Sequence, residues 1–186
     1  MNLTTVSKFL ALILRHKPEE LGLTLDEQGW CNIDKLVEAF KTKFNDFTFE
    51  TLEEIVITDE KGRYSFNEDK TLIRAVQGHS TKAVNISFEE IDWDSLKHPI
   101  YHGTGEKYID SIYKDGILPK SRNYVHLSGD IETAKKVGSR HGKPVILQID
   151  SKMMSNRGIK LFRSENGVYL VDKVPNDCFI RVTQLV

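Results

Sequence analysis

The sequence has few cysteines, little net charge and no long apolar run, and each shortage excludes a class of protein. No apolar run reaches the roughly 18 residues that a membrane span requires, and the N-terminus has no secretory pattern. The two cysteines, Cys31 and Cys178, lie far apart without metal-ligand spacing, which predicts reduced, buried thiols. The net charge of −1 argues against a general polyanion binder. We therefore expect a cytoplasmic protein that does not contact a membrane. We also expect a monomer, although no feature of the sequence bears on the oligomeric state.

Motifs for metal binding and for the common nucleotide-binding folds are also missing. The six histidines show no HExxH or CxxC-like spacing, and the chain has no Rossmann glycine motif or P-loop. We therefore expect no metal. Charge is nevertheless unevenly distributed, because residues 46–72 carry eight acids and three bases, whereas residues 100–186 carry fourteen bases and nine acids. The net charges of −5 and +5 place an anionic ligand more favourably in the C-terminal half.

Three amphipathic helices and a hairpin are predicted in the N-terminal part. The predicted elements are a helix capped by Thr4 or Thr5 and stopped by Pro18, a helix over residues 33–40, a helix over about residues 48–57, and strands at residues 63–66 and from residue 72. Short extended segments are expected at residues 21–25 and 30–33. Helices followed by a hairpin are typical of a winged-helix unit, but the acidic third helix argues against reading a duplex groove.

The C-terminal part follows a different pattern. Residues 86–99 are mixed in character and predict a connector. Beyond it, short strands are predicted at residues 100–102, 125–127, 145–149, 168–171 and 179–182, with helices over about residues 106–114 and 131–139. Asn166-Gly167 predicts a type I′ hairpin turn. Together these patterns indicate an α+β protein whose second half is built on mostly antiparallel strands.

Three short runs carry side chains suited to chemistry. The central run, residues 73–80, begins as a strand and ends in Gln-Gly-His-Ser, where glycine allows the backbone to approach a ligand closely. The flanking runs are Leu14-Arg15-His16 and Tyr101-His102-Gly103-Thr104. Each run alone has an ordinary structural interpretation. A polar turn explains the central run, and a cationic last helical turn explains Arg15 and His16.

In combination, these runs resemble the RNA 2′-phosphotransferase family, also called tRNA 2′-phosphotransferase, over nearly the whole chain. The matching stretches are residues 7–18, Arg63, residues 73–80, residues 101–104, Arg122 ahead of Val125-His126-Leu127-Ser128, and residues 138–147. The resemblance implies a winged-helix-like RNA-binding lobe over residues 1–85, a connector over 86–99, and an ADP-ribosyltransferase-like lobe over 100–186 that binds NAD.

The resemblance also implies an activity. Family members transfer an internal, splice-junction 2′-phosphate of RNA to NAD through an ADP-ribosylated RNA intermediate. The products are RNA with a free 2′-OH, nicotinamide and ADP-ribose 1″,2″-cyclic phosphate. Because the phosphate is already anionic, it needs cationic side chains to hold it rather than a base to activate it. Toxin-like ADP-ribosyltransferases usually carry a glutamate on a late strand, where it orients the acceptor. In this sequence the only glutamate after Glu132 is Glu165. The missing carboxylate agrees with an acceptor that is itself anionic.

Site residues follow from the resemblance position by position. The catalytic set is Arg15, His16, Arg63 and Arg122; the NAD-binding set is His102, Gly103, Thr104, Ser128 and Arg140; and the set for RNA or phosphate is Arg74, Gln77, His79 and Ser80. Arg140 and His141 serve equally well as cations at the end of the preceding helix. His126 should face away from Val125 and Leu127, and the sequence does not say whether that face is the ligand-binding one.

Two other functions remain open on the sequence alone. The first is an ADP-ribosyltransferase that modifies terminal phosphates of nucleic acids or modifies protein. The second is a non-catalytic module that binds RNA or ADP-ribose. A module without activity should have lost part of the arginine–histidine set, and all four positions are filled here. The filled positions favour the enzyme.

Overall fold

A computed structural model describes residues 2–182, which divide between residues 87 and 88 into two compact units. Residues 1 and 183–186, which belong to the two predicted lobes, lie outside the described part. The segment predicted as a connector, residues 86–99, has secondary structure of its own. It contains the strand β4 (Glu89–Ile91) and a 3-10 helix (Trp93–Ser95), which belong to the second unit.

The first unit consists of three helices around a small antiparallel sheet. Its elements are α1 (Leu3–Arg15), a 3-10 helix (Pro18–Leu21), β1 (Cys31–Asn32), α2 (Ile33–Lys41), α3 (Phe49–Ile57), β2 (Tyr64–Phe66) and β3 (Leu72–Ala75). The strand order is β1-β3-β2, with Tyr64 paired to Ala75 and Cys31 to Ile73. The three predicted helices and the hairpin are therefore confirmed as elements.

Two local predictions in the first unit are wrong. The cap of α1 is Asn2 rather than Thr4 or Thr5, because its side-chain oxygen accepts a hydrogen bond from Thr5 N at 3.1 Å. The segment expected to extend over residues 21–25 forms no strand, and only Cys31–Asn32 of the second expected segment pairs with β3. Apolar residues of α1, α2, α3 and the sheet fill a common core.

The second unit contains two antiparallel sheets. Its remaining elements are β5 (Tyr101–Gly105), a 3-10 helix (Glu106–Tyr108), α4 (Ile109–Asp115), β6 (Val125–Leu127), α5 (Ile131–Ser139), β7 (Pro144–Ile149), α6 (Ser151–Asn156), β8 (Leu161–Arg163), β9 (Tyr169–Val171) and β10 (Phe179–Arg181). The strand orders are β10-β7-β5 and β4-β8-β9-β6, and the strand pairs are antiparallel. The α+β class with mostly antiparallel strands is thus confirmed.

Three short elements and one turn type escaped the sequence analysis. Strands β4 and β8 and helix α6 are three to six residues long, too short to show a clear apolar period. Asn166 and Gly167 do lie in a hairpin between β8 and β9. However, Asn166 does not have the positive φ of a type I′ turn, and Gly167 alone does, at 79°. Residues 165–167 form a three-residue loop, which is closed by a hydrogen bond of 3.0 Å from Ser164 N to the carbonyl of Val168.

Both cysteines are free and buried, as predicted. Burial raises the pKa of the Cys31 thiol to about 11, so this thiol is protonated at neutral pH. Within residues 2–182, no helix is long and apolar enough to cross a membrane. The same residues contain no group of three or more potential ligands that could hold a metal ion.

Candidate active site

The first unit places the end of α1 beside the loop that follows β3. His16 is the C-terminal cap of α1, and its Nδ1 lies 2.9 Å from Ser80 Oγ. The backbone of the loop is held as well, since Ser80 N donates to the carbonyl of Arg15 at 3.0 Å. The runs containing Arg15-His16 and Gln-Gly-His-Ser are distant in sequence, and the fold brings them together.

Gly78 lies at the centre of this contact. Its φ of +90° is in the left-handed region, and a Cβ added there would lie 3.3 Å from Arg15 Nε and 3.4 Å from Arg15 Cζ. The sequence analysis expected this glycine to admit a ligand to the backbone. Its observed neighbour is the Arg15 side chain, so the missing Cβ leaves room for a guanidinium.

Arg63 is anchored just before β2 by a buried carboxylate. Its backbone N–H and its Nη1 both donate to the carboxylate of Asp59, whose side chain is only 5% exposed. The carbonyl of Arg63 accepts from Val76 N at 2.9 Å, which ties it to the strand leading into the loop. The sequence analysis missed Asp59. The signal was its position four residues before Arg63, across the Gly62 turn.

Tyr64 connects the surroundings of Arg15 and Arg63. Its hydroxyl donates to the carbonyl of Ser7 in α1 at 2.8 Å. Burial raises the pKa of Tyr64, while a second hydrogen bond, with the Ser7 hydroxyl, and the charges of Arg15 and Arg63 act in the opposite direction. Both guanidinium groups are thus close enough to influence one phenol. The first unit therefore brings Arg15, His16 and Ser80 together, and Arg63, paired to Asp59, acts on the same phenol as Arg15.

Of the other three residues predicted to contact RNA or phosphate, Arg74 is half-buried like Ser80, and the other two lie deeper. Arg74 Cζ lies 4.4 Å from the centroid of the Trp30 ring, and its Nη1 donates to the carbonyl of Gln28 at 3.4 Å. Gln77 and His79 are only 8% and 3% exposed. The structure therefore separates Ser80, which touches His16, from two residues that are almost fully enclosed by protein.

In the second unit, three of the predicted NAD-binding residues lie on β5, and Ser128 lies beside its first residue. His102 is half-buried, and its Nδ1 lies 3.3 Å from the carbonyl of His126. Thr104 is buried, and Ser128 exchanges backbone hydrogen bonds with Tyr101 at 2.7 and 2.8 Å. His126 is half-buried between buried Val125 and Leu127, in agreement with the expected alternation.

Gly103 has a packing role that the sequence analysis did not foresee. A Cβ at this position would lie 1.7 Å from the carbonyl oxygen of Ala134 in α5. Gly138 of α5 also lies close to β5, since its Cβ would lie 2.7 Å from Thr104 O. Two glycines therefore allow α5 and β5 to approach one another closely. The side of Gly103 on which a Cβ would lie is thus filled by α5.

Cationic side chains surround the aromatic ring of Tyr108. Lys120 Nζ and Lys107 Nζ lie 4.4 and 5.0 Å from the ring centroid, and the His141 ring lies 5.9 Å away. Burial lowers the pKa of His102, and the charges of Lys120 and His141 lower it further. Lys120 also has a φ of +56°, which is uncommon for a residue with a side chain. This surface favours an anionic ligand.

Arg122 and Arg140 form a second concentration of positive charge in this unit. Although Arg122 is exposed as a residue, partial burial of its guanidinium lowers its pKa, and the charge of Arg140 lowers it further. Neither guanidinium forms an ion pair with a carboxylate within residues 2–182. Two arginines close enough to repel one another would be stabilised by a bound anion.

Comparisons with known proteins point to one family. The model of the RNA 2′-phosphotransferase, Tpt1/KptA family matches residues 1–173. A probable RNA 2′-phosphotransferase of Fusobacterium nucleatum is 49% identical over 172 residues, covering 92% of this chain and 94% of the relative. Proteins of the same description from Escherichia coli O6:K15:H31 and Shigella boydii serotype 18 are each 46% identical over 175 residues, covering 92% of both chains.

Proposed function

The chain belongs to the RNA 2′-phosphotransferase family, and on this basis we propose that it transfers a 2′-phosphate from RNA to NAD. The observation that carries the proposal is the cluster at the end of α1. There, a family-matched arginine and histidine meet Ser80 of the central motif through the 2.9 Å contact of His16. The second unit supports the proposal with cationic surfaces suited to the phosphates of a dinucleotide.

The first proposed step joins the phosphate to the ribose of NAD. An oxygen of the RNA 2′-phosphate attacks the anomeric carbon of the nicotinamide riboside, and the bond to nicotinamide breaks with its electron pair. The product is an RNA whose 2′-phosphate bridges to ADP-ribose. We assign Arg15 and Arg63 to holding the phosphate, because one planar guanidinium group can donate two parallel hydrogen bonds to two phosphate oxygens. The ion pair with Asp59 limits the orientations of Arg63.

The second proposed step releases the RNA. The 2″-OH of the ADP-ribose attacks the bridging phosphorus, the bond from phosphorus to the RNA 2′-oxygen breaks, and a proton passes from the attacking to the leaving oxygen. We assign this proton transfer to His16, because imidazole titrates near neutral pH. The contact with Ser80 Oγ restricts the ring orientation. Arg63 and Arg122 are assigned to stabilising charge on the transferred phosphoryl group in this step.

NAD binding is assigned to the second unit, without a metal. We propose that His102, Thr104, Ser128 and Arg140 contact NAD. Gly103 supports this site indirectly, because its missing side chain permits the close packing of α5 on β5. In this assignment the first unit is a winged-helix-like RNA-binding lobe and the second an ADP-ribosyltransferase-like lobe. We further propose that the protein is a cytoplasmic monomer.

The experiment that tests the function follows a radiolabelled oligonucleotide with one internal 2′-phosphate. Incubation with NAD should give 2′-OH RNA, nicotinamide and ADP-ribose 1″,2″-cyclic phosphate, and omission of NAD should prevent product formation. The same oligonucleotide with only a terminal phosphate is the matched control substrate and should remain unmodified. A stable ADP-ribosylated strand would instead identify an ADP-ribosyltransferase. Absence of any reaction with NAD would contradict the proposal.

A further inference from the structure

His79 has an unusual environment for a residue matched to an RNA-binding motif. It is 3% exposed, although it lies next to half-buried Ser80 in the loop after β3. A side chain enclosed to this degree presents almost no surface to a macromolecule. We therefore expect His79 to act through contacts inside the protein.

The imidazole of His79 contacts the end of α1. A hydrogen bond joins the ring to the backbone of Leu14, the residue before Arg15. The other side of the ring faces the turn at Gly29, where an added Cβ would lie 3.0 Å from His79 Nε2 and 3.4 Å from Val84 Cγ1. Within residues 2–182, Nε2 has no hydrogen-bond partner. The bonded nitrogen is therefore Nδ1, and the ring is wedged between the last turn of α1 and the Gly29 turn.

We propose that His79 is a positioning residue that holds the last turn of α1, and through it Arg15 and His16, in the orientation that the transfer requires. This inference rests on the proposed function and deepens it. His79 acts on the reaction through the backbone of Leu14 and makes no contact with RNA. Its role thus differs from that of Ser80, which touches the imidazole of His16 directly.

The electrostatic surroundings agree with a structural, uncharged imidazole. Burial lowers the pKa of His79 to about 4, and the charges of Arg15, His16 and Arg74 act in the same direction. The ring is therefore neutral at physiological pH, with its proton on the nitrogen that donates to Leu14. A neutral donor beside the guanidinium groups of Arg15 and Arg74 orients the helix end without adding charge to the site.

A pair of substitutions at His79 tests the role. The amide of His79→Asn can reproduce the donor at Nδ1, whereas His79→Ala removes it. We expect His79→Ala to lower kcat about tenfold or more at nearly unchanged KM for 2′-phosphorylated RNA, and His79→Asn to restore most of that loss. A rise in KM for RNA at unchanged kcat, or equal impairment in both variants, would show instead that His79 contacts the substrate.

A second pair tests the wedge from the opposite side. Gly29→Ala and Gly22→Ala both introduce a side chain at positive φ, at +80° and +62°, but only the former meets another residue within 4 Å. We expect Gly29→Ala to reduce kcat as His79→Ala does, and Gly22→Ala to leave it near the wild-type value. Equal effects of the two substitutions would attribute the loss to backbone strain and overturn the role of the wedge.

Amide exchange provides a readout that is independent of the reaction. The N–H groups of His16 and Lys17 donate to the carbonyl of Leu12 at 2.9 and 3.0 Å, and they report on fraying of the helix end. We expect His79→Ala to accelerate their exchange about tenfold, the effect of about one lost hydrogen bond, and His79→Asn to restore protection. Unchanged exchange would refute the positioning role. Changed exchange in a protein without transferase activity would refute only the proposed function.

Discussion

Protonation of His79 should destabilise the first unit as the pH falls, and the effect is large enough to measure. An unperturbed histidine titrates at about 6.5, whereas in the folded protein burial lowers the pKa of His79 to about 4. Between these values the unfolded chain binds more protons than the folded one. The free energy of unfolding therefore decreases as pH is lowered through this window, and the stabilising contribution is fully present only above about pH 6.5.

The magnitude follows from the two pKa values. A difference of about 2.5 units corresponds to about 3.4 kcal/mol once the pH is below both values. Over the accessible range from pH 7 to pH 5, the same linkage relation gives a loss of about 1.8 kcal/mol. The groups that oppose protonation are Arg15 and His16 at the end of α1 and Arg74 on β3, while the hydrogen bond to Leu14 acts weakly in its favour.

Urea unfolding at pH 7, 6 and 5 measures this loss. Each unit contains one tryptophan, Trp30 in the first and Trp93 in the second, so a Trp93→Phe background leaves fluorescence from the first unit alone. His79→Asn in the same background is the reference, because it retains other pH-dependent contributions and lacks the titrating imidazole. We expect the wild-type sequence to lose about 1.8 kcal/mol more than the variant between pH 7 and pH 5. Parallel losses in the two proteins would refute the buried, neutral imidazole.

Three further predictions concern the remaining site residues. Arg63→Ala should slow the second step at least about a hundredfold, so that ADP-ribosylated RNA accumulates in single-turnover gels. A variant that binds NAD weakly but turns over bound NAD at the normal rate would contradict the role assigned to Arg63. Gly103→Ala should destabilise the second unit by about 3 kcal/mol in urea melts, because its Cβ would overlap the Ala134 carbonyl. The control Gly129→Ala should be nearly neutral, because its Cβ would lie an ordinary 3.5 Å from Tyr169 Cε2. Arg140→Gln should raise KM for NAD about tenfold at similar kcat, and an unchanged KM would favour the alternative of a helix-end cation.

Much of the local structure was predictable because it depends on residues close together in sequence. The apolar spacing of α1, α2 and α3 is a property of each segment, and the structure buries the predicted faces in one core. Elements of three to six residues, such as β4, β8 and α6, carry too few apolar positions to establish a period. The two strands form because partners elsewhere in the chain, β8 in the case of β4, supply their hydrogen bonds.

The candidate site also has a part that the sequence predicts and a part that only the fold determines. The order of motifs along the chain was sufficient to indicate the family and its arginine–histidine set. The sequence could not show that Asp59 anchors Arg63, that Arg15 occupies the space beside Gly78, or that His79 is enclosed while Ser80 meets His16. Residue type and spacing determine which groups are available and which face of an element they share. Only the tertiary packing decides which side chains become buried against one another, because burial and its pKa shifts depend on neighbours that are remote in the chain.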